Sequence, residues 1–352
     1  MRLMITGGAG FIGSAVARLA VTKGHEVLVV DVLTYAANLA NLDSVAGAKT
    51  YSFSKTDIGD LKSMIALISA FKPDTIMHLA AESHVDRSID GPETFIQTNI
   101  VGTFRLLEAA RHYTASGKAP DTFRFHHIST DEVFGSLGAS GTFTETSRYL
   151  PNSPYAASKA ASDMLVRAWG ETYGMNVIIS NCSNNYGPFQ FPEKLLPVVI
   201  TSALEGQPIP VYGKGENVRD WLYVEDHAEA LLLIAQQGAI GETYNVGGNS
   251  ERSNIELVKQ VCVEFDKRYP DRSWGKHENL IEFVTDRPGH DLRYAVDCSK
   301  IKRDLGWEPK TSLAQGLSKT IDWYLANQDW LDAIKNRDGN RQRLGLSQHV
   351  KV

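Results

Sequence analysis

Short apolar runs alternate with longer segments of helical periodicity through the first half of the chain, a pattern typical of a parallel α/β sheet. Predicted strands cover Leu3–Thr6, Glu26–Asp31, Thr75–Ala81, Phe123–Ser129 and Asn176–Ser180. Predicted helices cover Phe11–Lys23, Thr94–Tyr113 and Ala156–Tyr173. Because continuous apolar strands of this kind are buried on both faces, we expect a Rossmann-type, doubly wound parallel sheet.

The pattern changes after about Asn181, where loops rich in Pro, Gly and Asn appear, including 184–188 and 286–290. Predicted strands become shorter and helices less regular. We therefore predict a nucleotide-binding Rossmann domain over residues 1–180, to which some later segments return. A smaller C-terminal α/β lobe is predicted over 181–337, followed by a polar tail over 338–352.

Composition narrows the class of protein. The chain has 352 residues, of which 43% are hydrophobic and 22% charged, as in ordinary soluble globular proteins. A net charge of −5 gives no general reason to bind nucleic acid or an anionic membrane, and no apolar run is long enough to cross a bilayer. The widely separated Cys182, Cys262 and Cys298 form no metal or disulfide framework, so we expect a reduced, cytoplasmic protein.

A glycine loop, Gly7-x-x-Gly10-x-x-Gly13, lies between the first predicted strand and the first predicted helix. Glycine lets backbone N–H groups approach a pyrophosphate, and the helix N-terminus adds positive potential. Asp31 ends the second strand, where a carboxylate can accept hydrogen bonds from a ribose diol and repel a 2′-phosphate. The combination predicts dinucleotide binding, with NAD favoured over NADP.

Two further positions remain open on the sequence alone. Asp57-Ile58 follows a third possible strand and could reach the adenine, or could cap the helix ahead of Asp60-Leu61. His78 lies inside an apolar strand, which favours a hydrogen-bonded core histidine. No group of His, Cys or acidic residues has metal-ligand spacing, so we expect no metal.

Tyr155 and Lys159 are four residues apart in a predicted helix, so their side chains point to one face. Bringing a tyrosine from a pKa near 10 to neutrality requires roughly 4 kcal/mol of phenolate stabilisation. A lysine cation at about 4 Å supplies about that amount at an effective dielectric near 20. The pair therefore predicts a base for a substrate hydroxyl, although this spacing also occurs on many helices by chance.

Thr130, Asp131 and Glu132 follow the Phe123–Ser129 strand. Adjacent acids after a strand are often solvated loop charges or part of a helix cap. Beside a tyrosine base and a hydride acceptor, however, they indicate oxidation followed by elimination. Two close carboxyl groups also push their pKa values apart, so one can act as acid and the other as base.

These motifs resemble the extended short-chain dehydrogenase/reductase family, and Thr130-Asp131-Glu132 narrows the resemblance to the nucleotide-sugar 4,6-dehydratases. The resemblance covers nearly the whole chain. It includes the strings 79–88, 183–188, 191–195, 210–213, 219–221 and 286–291. Phe134 departs from the pattern, where Tyr is common, without touching the chemistry.

The resemblance implies a lyase mechanism. Tyr155, supported by Lys159, takes the proton of the sugar 4-hydroxyl while hydride passes from carbon 4 to NAD, and Thr130 bonds that oxygen. Glu132 removes the carbon 5 proton and Asp131 protonates the departing 6-hydroxyl. The hydride then returns to carbon 6, so no net redox occurs.

The resemblance also implies binding residues. Predicted NAD contacts are Gly7, Gly10, Phe11, Ile12, Gly13, Asp31, Val32, Leu33, Thr34, Asp57, Ile58, Leu79, Ala80, Ala81, Ser83, Thr98, Tyr155, Lys159 and Asn185. Predicted substrate contacts are Ser83, Thr130, Asn184, Lys194, Leu195, Pro210, Tyr212, Arg219, Asn254, Asp286, Arg287 and His290. Arg219 is the predicted diphosphate clamp, because its planar fork suits paired phosphate oxygens.

The implied partner is a nucleoside diphosphate sugar, with dTDP-glucose favoured, although spacing does not separate thymine from uracil. The product would feed rhamnose or another deoxysugar pathway. Alternatives are a UDP-sugar 4,6-dehydratase, a 4-epimerase, a decarboxylase or a non-catalytic NAD-binding regulator. Family members pair through two helices per subunit, so a homodimer is expected through the helices 94–113 and 156–173.

Overall fold

The computed structural model describes residues 1–338. Its strands are β1 Arg2–Thr6, β2 Glu26–Asp31, β3 Tyr51–Lys55, β4 Thr75–His78, β5 Arg124–Thr130, β6 Val177–Cys182, β7 Asn184–Tyr186, β8 Ile209–Tyr212, β9 Val218–Tyr223, β10 Thr243–Val246, β11 Glu251–Ser253 and β12 Ile281–Val284. Its α-helices are α1 Phe11–Thr22, α2 Leu61–Phe71, α3 Val85–Asp90, α4 Pro92–Phe95, α5 Thr103–Ala115, α6 Pro154–Tyr173, α7 Leu195–Glu205, α8 Val224–Gln237, α9 Asn254–Arg268, α10 Ser299–Leu305, α11 Leu313–Ala326 and α12 Gln328–Asp338.

Seven strands form one parallel sheet in the order β10-β6-β5-β4-β1-β2-β3, which confirms the Rossmann-type fold. Alternate side chains of β1 enter two apolar cores. Leu3 and Ile5 pack with α1 and α8 on one face, while Met4 packs with α2, α5 and α6 on the other. The strand order reverses between β1 and β4, where ligands bind in open α/β sheets.

Residues beyond 180 both return to this sheet and build smaller ones. β10 pairs with β6 at the sheet edge, as expected of later segments. β7, β9 and β11 form a three-stranded sheet, and β8 pairs with β12. Helices α7, α9 and α11 share one apolar core with these strands.

Two expectations about this lobe are wrong. Asn184–Tyr186, predicted as loop, is β7 and pairs in parallel with β9, because that neighbouring strand satisfies its backbone groups. The helices are regular: α9 runs for 15 residues and begins at a Ser253–Glu256 capping box. Such a box satisfies two exposed backbone donors at once.

Two predicted boundaries in the first half also differ. β4 ends at His78 instead of Ala81, because its neighbour β1 turns away at Gly7 and only one bond, Leu79 N–H to Thr6 O, continues the pairing. The predicted helix over 94–113 is interrupted by a π-helical segment, Ile96–Gly102. Segments of this kind often occur at functional sites.

His78 is a satisfied core histidine, as predicted. It is 1% exposed, and its ring nitrogens lie 2.8 Å from Thr6 Oγ1 and 2.9 Å from Thr103 Oγ1. The predicted tail after 338 lies outside the described residues. Within residues 1–338, no helix is long and apolar enough to cross a membrane, and no cluster of His, Cys or acidic residues could hold a metal ion.

Candidate active site

A cavity of about 500 Å³ lies along the carboxyl ends of β1, β2, β4 and β5. Its walls run from the glycine loop at Gly7 to Trp221 of β9, so both halves of the chain contribute. Its volume falls in the range of small-molecule sites. The structure brings the glycine loop and the acid pair, which are more than 110 residues apart in the chain, to one cavity.

Gly7, Gly8 and Gly13 of the glycine loop are packed too closely for a side chain. Gly7 has φ +69°, and a Cβ added to Gly13 would lie 2.2 Å from the Gly7 carbonyl oxygen. The N-cap of α1, Gly10, has no side-chain capping bond, and it lines the cavity together with Phe11 and Ile12 of the first turn. This cradle suits a pyrophosphate.

Asp31 lies at the end of β2 and is 8% exposed. Its carboxylate accepts the backbone N–H groups of Ala9 and Leu33 at 3.0 and 2.8 Å, which ties the glycine loop to the second strand. Burial raises the pKa of Asp31, while these bonds lower it. Val32 and Thr34 line the cavity, whereas Leu33, with φ 61°, packs into the core instead.

The alternative role for Asp57 as a helix cap is wrong. The N-cap of α2 is Asp60, whose side chain accepts the N–H of Ser63. Asp57 accepts the N–H of Gly59 at 2.7 Å in a local turn, and it lines the cavity together with Ile58.

The segment after β4 forms a second wall. Leu79, Ala80, Ala81 and Ser83 line the cavity with Thr98 of the π-helical segment. Lys194 reaches across the cavity mouth from the second lobe, and its Nζ donates to the Ser83 carbonyl at 2.6 Å.

Asn184 and Asn185 of β7 present amides to the same cavity. Asn185 is fixed, because its Oδ1 lies 2.8 Å from His227 Nδ1 and its Nδ2 donates to Ser183 O at 3.0 Å. The Oδ1 of Asn184 is buried without a hydrogen-bond partner among the described residues. A buried acceptor without a partner is suited to accept a hydrogen bond from a ligand.

Thr130 ends β5, and the acid pair occupies the 3-10 turn that follows it, Asp131–Phe134. The cap of this turn is Thr130, whose Oγ1 accepts the Glu132 N–H at 3.3 Å. Both acids line the cavity, and Asp131 is only 1% exposed. The alternative interpretation of the acids as solvated loop charges is therefore wrong.

The two carboxyl groups have different surroundings. Burial raises the pKa of Asp131 well above its ordinary value, and the carboxylates of Glu132 and Asp220 raise it further. Burial also raises the pKa of Glu132, but three nearby cations oppose the rise. These cations are Arg287, Lys194 and Arg219. The arrangement favours a protonated Asp131 beside an ionised Glu132.

Activation of Tyr155 by Lys159 stays a prediction, in which the positive charge of a bound nicotinamide ring adds to that of the lysine. Burial raises the pKa of Tyr155 well above its ordinary value, the neighbouring Glu132 raises it further, and a hydrogen bond from Thr130 lowers it. Lys159 Nζ donates instead to Ile128 O at 2.8 Å. A phenolate at this position requires further positive charge.

Several predicted substrate residues lie outside the cavity wall, and two of them bind the carboxylate of Asp86. Arg287 Nη1 donates to Asp86 Oδ1 at 2.7 Å, and the Tyr212 hydroxyl donates to Asp86 Oδ2 at 2.8 Å. His290 Nδ1 is 2.7 Å from Asp286 Oδ1. The loop 286–290 is thereby attached to α3. Asn254 is the first residue of α9, and Pro210 lies in β8.

Arg219, the predicted diphosphate clamp, is buried in a strand of the smaller lobe. It lies in β9, is 5% exposed, and donates to the carbonyl oxygens of Val218 and Asp291 at 2.7 and 2.9 Å. Its guanidinium stacks 4.2 Å from the centre of the Tyr294 ring. Its charge lowers the pKa values of the acid pair.

Sequence reasoning missed several cavity residues. They are Val30, Ala36, Ala37, Thr56, Thr94, Ile128, Ser129, Cys182, Ser183, Gln190, Phe191, Glu193, Leu196 and Trp221. Many belong to or adjoin recognised strings, such as Ser129 before the acid pair and Glu193 before Lys194. Adjacency to a motif was the available signal.

Comparison with known proteins agrees with this geometry. The sequence matches the family described as GDP-mannose 4,6 dehydratase over residues 4–320. The dTDP-glucose 4,6-dehydratase of Xanthomonas campestris pv. campestris (strain B100) is 54% identical over 348 residues, covering 98% of this chain and 99% of the relative.

Solved structures show the same likeness. DesIV, a dTDP-glucose 4,6-dehydratase from Streptomyces venezuelae with NAD and dTDP bound, has a TM-score of 0.87 at 43% identity, covering 95% of this chain and 100% of that one. The dTDP-glucose 4,6-dehydratase of Bacillus anthracis str. Ames, in complex with NAD, has a TM-score of 0.83 at 40% identity, with the same coverage. The likeness therefore extends over the sheet and the smaller lobe.

Proposed function

The chain belongs to the GDP-mannose 4,6-dehydratase family, and from that premise we propose that it is an NAD-dependent dTDP-glucose 4,6-dehydratase. It converts dTDP-glucose to dTDP-4-keto-6-deoxyglucose and water. The observation that carries this proposal is the acid pair, held in one cavity with Tyr155 and biased toward one acid and one base. The names of the relatives support dTDP-glucose as the substrate.

The cofactor is NAD, and the residues present fit it. The glycine cradle would hold the pyrophosphate, and Asp31 would accept the ribose hydroxyls and repel a 2′-phosphate. Val32, Thr34, Asp57 and Ile58 would surround the adenosine. When bound, NAD accepts a hydride from sugar carbon 4 and returns it at carbon 6.

Tyr155 takes the proton of the sugar 4-hydroxyl as carbon 4 is oxidised. The positive charges around it must offset its burial, and Lys159 supplies one of them from the same face of α6. The Thr130 hydroxyl, which also hydrogen-bonds Tyr155, holds the 4-oxygen. The resulting ketone acidifies the hydrogen on carbon 5.

Elimination then uses the two acids in separate roles. Glu132, ionised, removes the carbon 5 proton, and Asp131, protonated, releases the 6-hydroxyl as water. Glu132 later returns its proton to carbon 5. Each turnover leaves Tyr155 with an added proton and Asp131 without one. The Thr130 hydroxyl is 3.3 Å from Asp131 Oδ1 and hydrogen-bonded to Tyr155. It therefore lies between the group that must lose a proton and the group that must regain one before the next turnover.

The nucleotide end is held by residues of both lobes. Ser83, Asn184 and Lys194 would face the sugar and diphosphate, with Leu195 beside them. The nucleoside would be held by the predicted substrate residues outside the cavity wall, through the loop attached to Asp86. These residues are Pro210, Tyr212, Asn254, Asp286, Arg287 and His290. Arg219 remains in the proposal as a buried cation next to the acid pair.

A homodimer is proposed through the outer faces of α5 and α6 and the helical segment before α5. Large apolar side chains are exposed there: Ile96 is 47% exposed, Met164 50% and Tyr173 52%. Burying them in a helical interface would remove them from water. Three unpaired cysteines support a reducing location such as the cytoplasm.

The experiment incubates the protein with dTDP-glucose and, separately, UDP-glucose, and follows the 4-keto-6-deoxy product by its absorbance in alkali and by mass. We expect product from dTDP-glucose at a kcat/KM at least about tenfold higher than from UDP-glucose. Formation of a 4-epimer without loss of water would overturn the proposal.

A further inference from the structure

A buried polar cluster lies beneath Lys159, and the proposed mechanism does not use it. Asp163 follows Lys159 by one turn of α6, is 1% exposed and is not part of the cavity wall. Its Oδ2 accepts the hydroxyl groups of Ser129 at 2.8 Å and Tyr149 at 3.0 Å. Two donors on one oxygen favour the ionised carboxylate.

His127 of β5 connects this carboxylate to the lysine. Its Nε2 lies 3.1 Å from Asp163 Oδ1 and 3.4 Å from Lys159 Nζ. One ring nitrogen cannot donate to the carboxylate and accept from the ammonium at the same time. Of the two contacts, only the one between Lys159 Nζ and His127 Nε2 has hydrogen-bond geometry, and Asp163 Oδ1 has no hydrogen-bond partner among the described residues. Lys159 also donates to Ile128 O at 2.8 Å.

The imidazole of His127 therefore does not neutralise the negative charge of Asp163. Burial holds the pKa of His127 well below its ordinary value, so the ring stays neutral. Since Asp163 Oδ1 and Lys159 Nζ are both in contact with His127 Nε2, at 3.1 and 3.4 Å, they are at most about 6.5 Å apart. At that distance and an effective dielectric near 20, one charge changes the proton affinity of the other by more than a factor of ten.

We propose that Asp163 is the buried counter-ion of Lys159, a positioning residue that keeps this lysine protonated and oriented during oxidation of the substrate hydroxyl. The inference rests on the proposed function for its catalytic meaning, but the charge relation itself does not depend on the substrate. A buried ammonium loses its proton readily unless a counter-charge is fixed nearby.

The titratable groups facing this pair come from α6 itself and from four neighbouring segments. They are Tyr155 on α6, His127 on β5, His78 on β4, Cys182 on β6 and Tyr149 in the loop before α6. Burial lowers the pKa of Lys159, and Asp163 opposes this most strongly. Burial raises the pKa of Asp163 to about 6, so the counter-charge is present at neutral and alkaline pH.

The test measures the proton affinity of Lys159 without relying on turnover. Trace acetic anhydride labels the full chain between about pH 6 and 11, and acetylation of Lys159 is quantified by peptide mass spectrometry. The variants are Asp163→Asn, Tyr149→Phe and the matched control Glu171→Gln, an exposed acid on the same helix. In parallel, kcat and KM are measured against pH on the NAD-loaded enzyme.

We expect Asp163→Asn to lower the labelling midpoint of Lys159 by about one pH unit or more. The alkaline fall of kcat should move to lower pH by a similar amount, with KM changed less than about twofold, because Asp163 does not line the cavity. Tyr149→Phe should act in the same direction but less, since it removes one donor to the carboxylate. Glu171→Gln should change neither.

An unchanged labelling midpoint in Asp163→Asn, or a kcat reduced equally at every pH, would overturn the proposal and leave Asp163 a structural residue. If Asp163→Asn does not fold, an unchanged midpoint in Tyr149→Phe decides against it. A wild-type enzyme that forms no 4-keto product would refute the proposed function, while the labelling result would still decide the counter-ion relation.

Discussion

Replacing Asp131 by Asn should slow elimination strongly and yet make the fold more stable than the wild type as pH rises. The carboxyl is almost completely buried, its Oδ1 has one hydrogen bond of 3.3 Å to Thr130, and its Oδ2 has no partner among the described residues. Ionisation there is poorly compensated, so the pKa of Asp131 is raised in the folded state. Asn has the same shape without the charge.

The sign follows from proton linkage. A carboxyl with a raised folded-state pKa contributes stability that is fully present below its unfolded-state value, near 4, and is lost as pH rises. For each pH unit over which the folded state retains this proton, the loss is about 1.4 kcal/mol. The Asn side chain at position 131 does not titrate. The free energy of unfolding of the variant, relative to that of the wild type, should therefore rise by about 1 kcal/mol or more for each pH unit from pH 5 to 7.

The assay is urea denaturation of both chains across this pH range at one fixed NAD concentration, because bound ligand shifts stability. Asp271→Asn, at an exposed position, is the matched control and should give a constant difference. In the same samples, elimination by Asp131→Asn should fall by about 10² to 10⁴ because the general acid is gone. A stability difference that does not change with pH would refute the assignment of Asp131 as the protonated acid.

Three further predictions concern the base, the cofactor cradle and the substrate loop. Glu132→Gln should block release of water while nicotinamide absorbance still reports carbon 4 oxidation, and full product formation by this variant would contradict its role as base. Gly13→Ala should weaken NAD binding at least about tenfold in calorimetry, since its Cβ would meet a carbonyl oxygen at 2.2 Å, whereas Gly47→Ala, in open space, should bind normally. Arg287→Met should raise the KM for the nucleotide sugar at least about fivefold by removing its 2.7 Å bond to Asp86 and with it an anchor of the substrate loop; an unchanged KM would show that this attachment is irrelevant to binding.

The sequence predicted the first half of the fold well, because local and global preferences agree there. The strand Glu26–Asp31 was predicted with its observed bounds, since a buried parallel strand is continuously apolar and ends at a polar residue. The helix over 94–113 was predicted as continuous, because no residue type marks a π-helical segment. The strand β7 was predicted as loop, because its Asn residues disfavour strands until β9 lies beside them.

In the candidate site, too, the sequence indicates which residue types are present but not what surrounds them in the fold. Chemistry-bearing types at characteristic spacings identified Tyr155, Lys159 and the acid pair. Their spacing could not show that Lys159 donates to Ile128 O, or that Arg219 is buried on Val218 and Asp291. Those partners come from other strands, so they depend on the register of the sheet.

The amino-acid sequence by itself determined the class of fold, the glycine loop and the set of candidate reacting groups, because backbone conformation and functional-group chemistry are local properties. Only the tertiary structure decided the protonation preferences of Asp131 and Glu132, and only it brought Asp163 beneath Lys159 through His127. Burial and the distances between charges are set by contacts remote in sequence, and these quantities decide which of two adjacent carboxyl groups holds the proton.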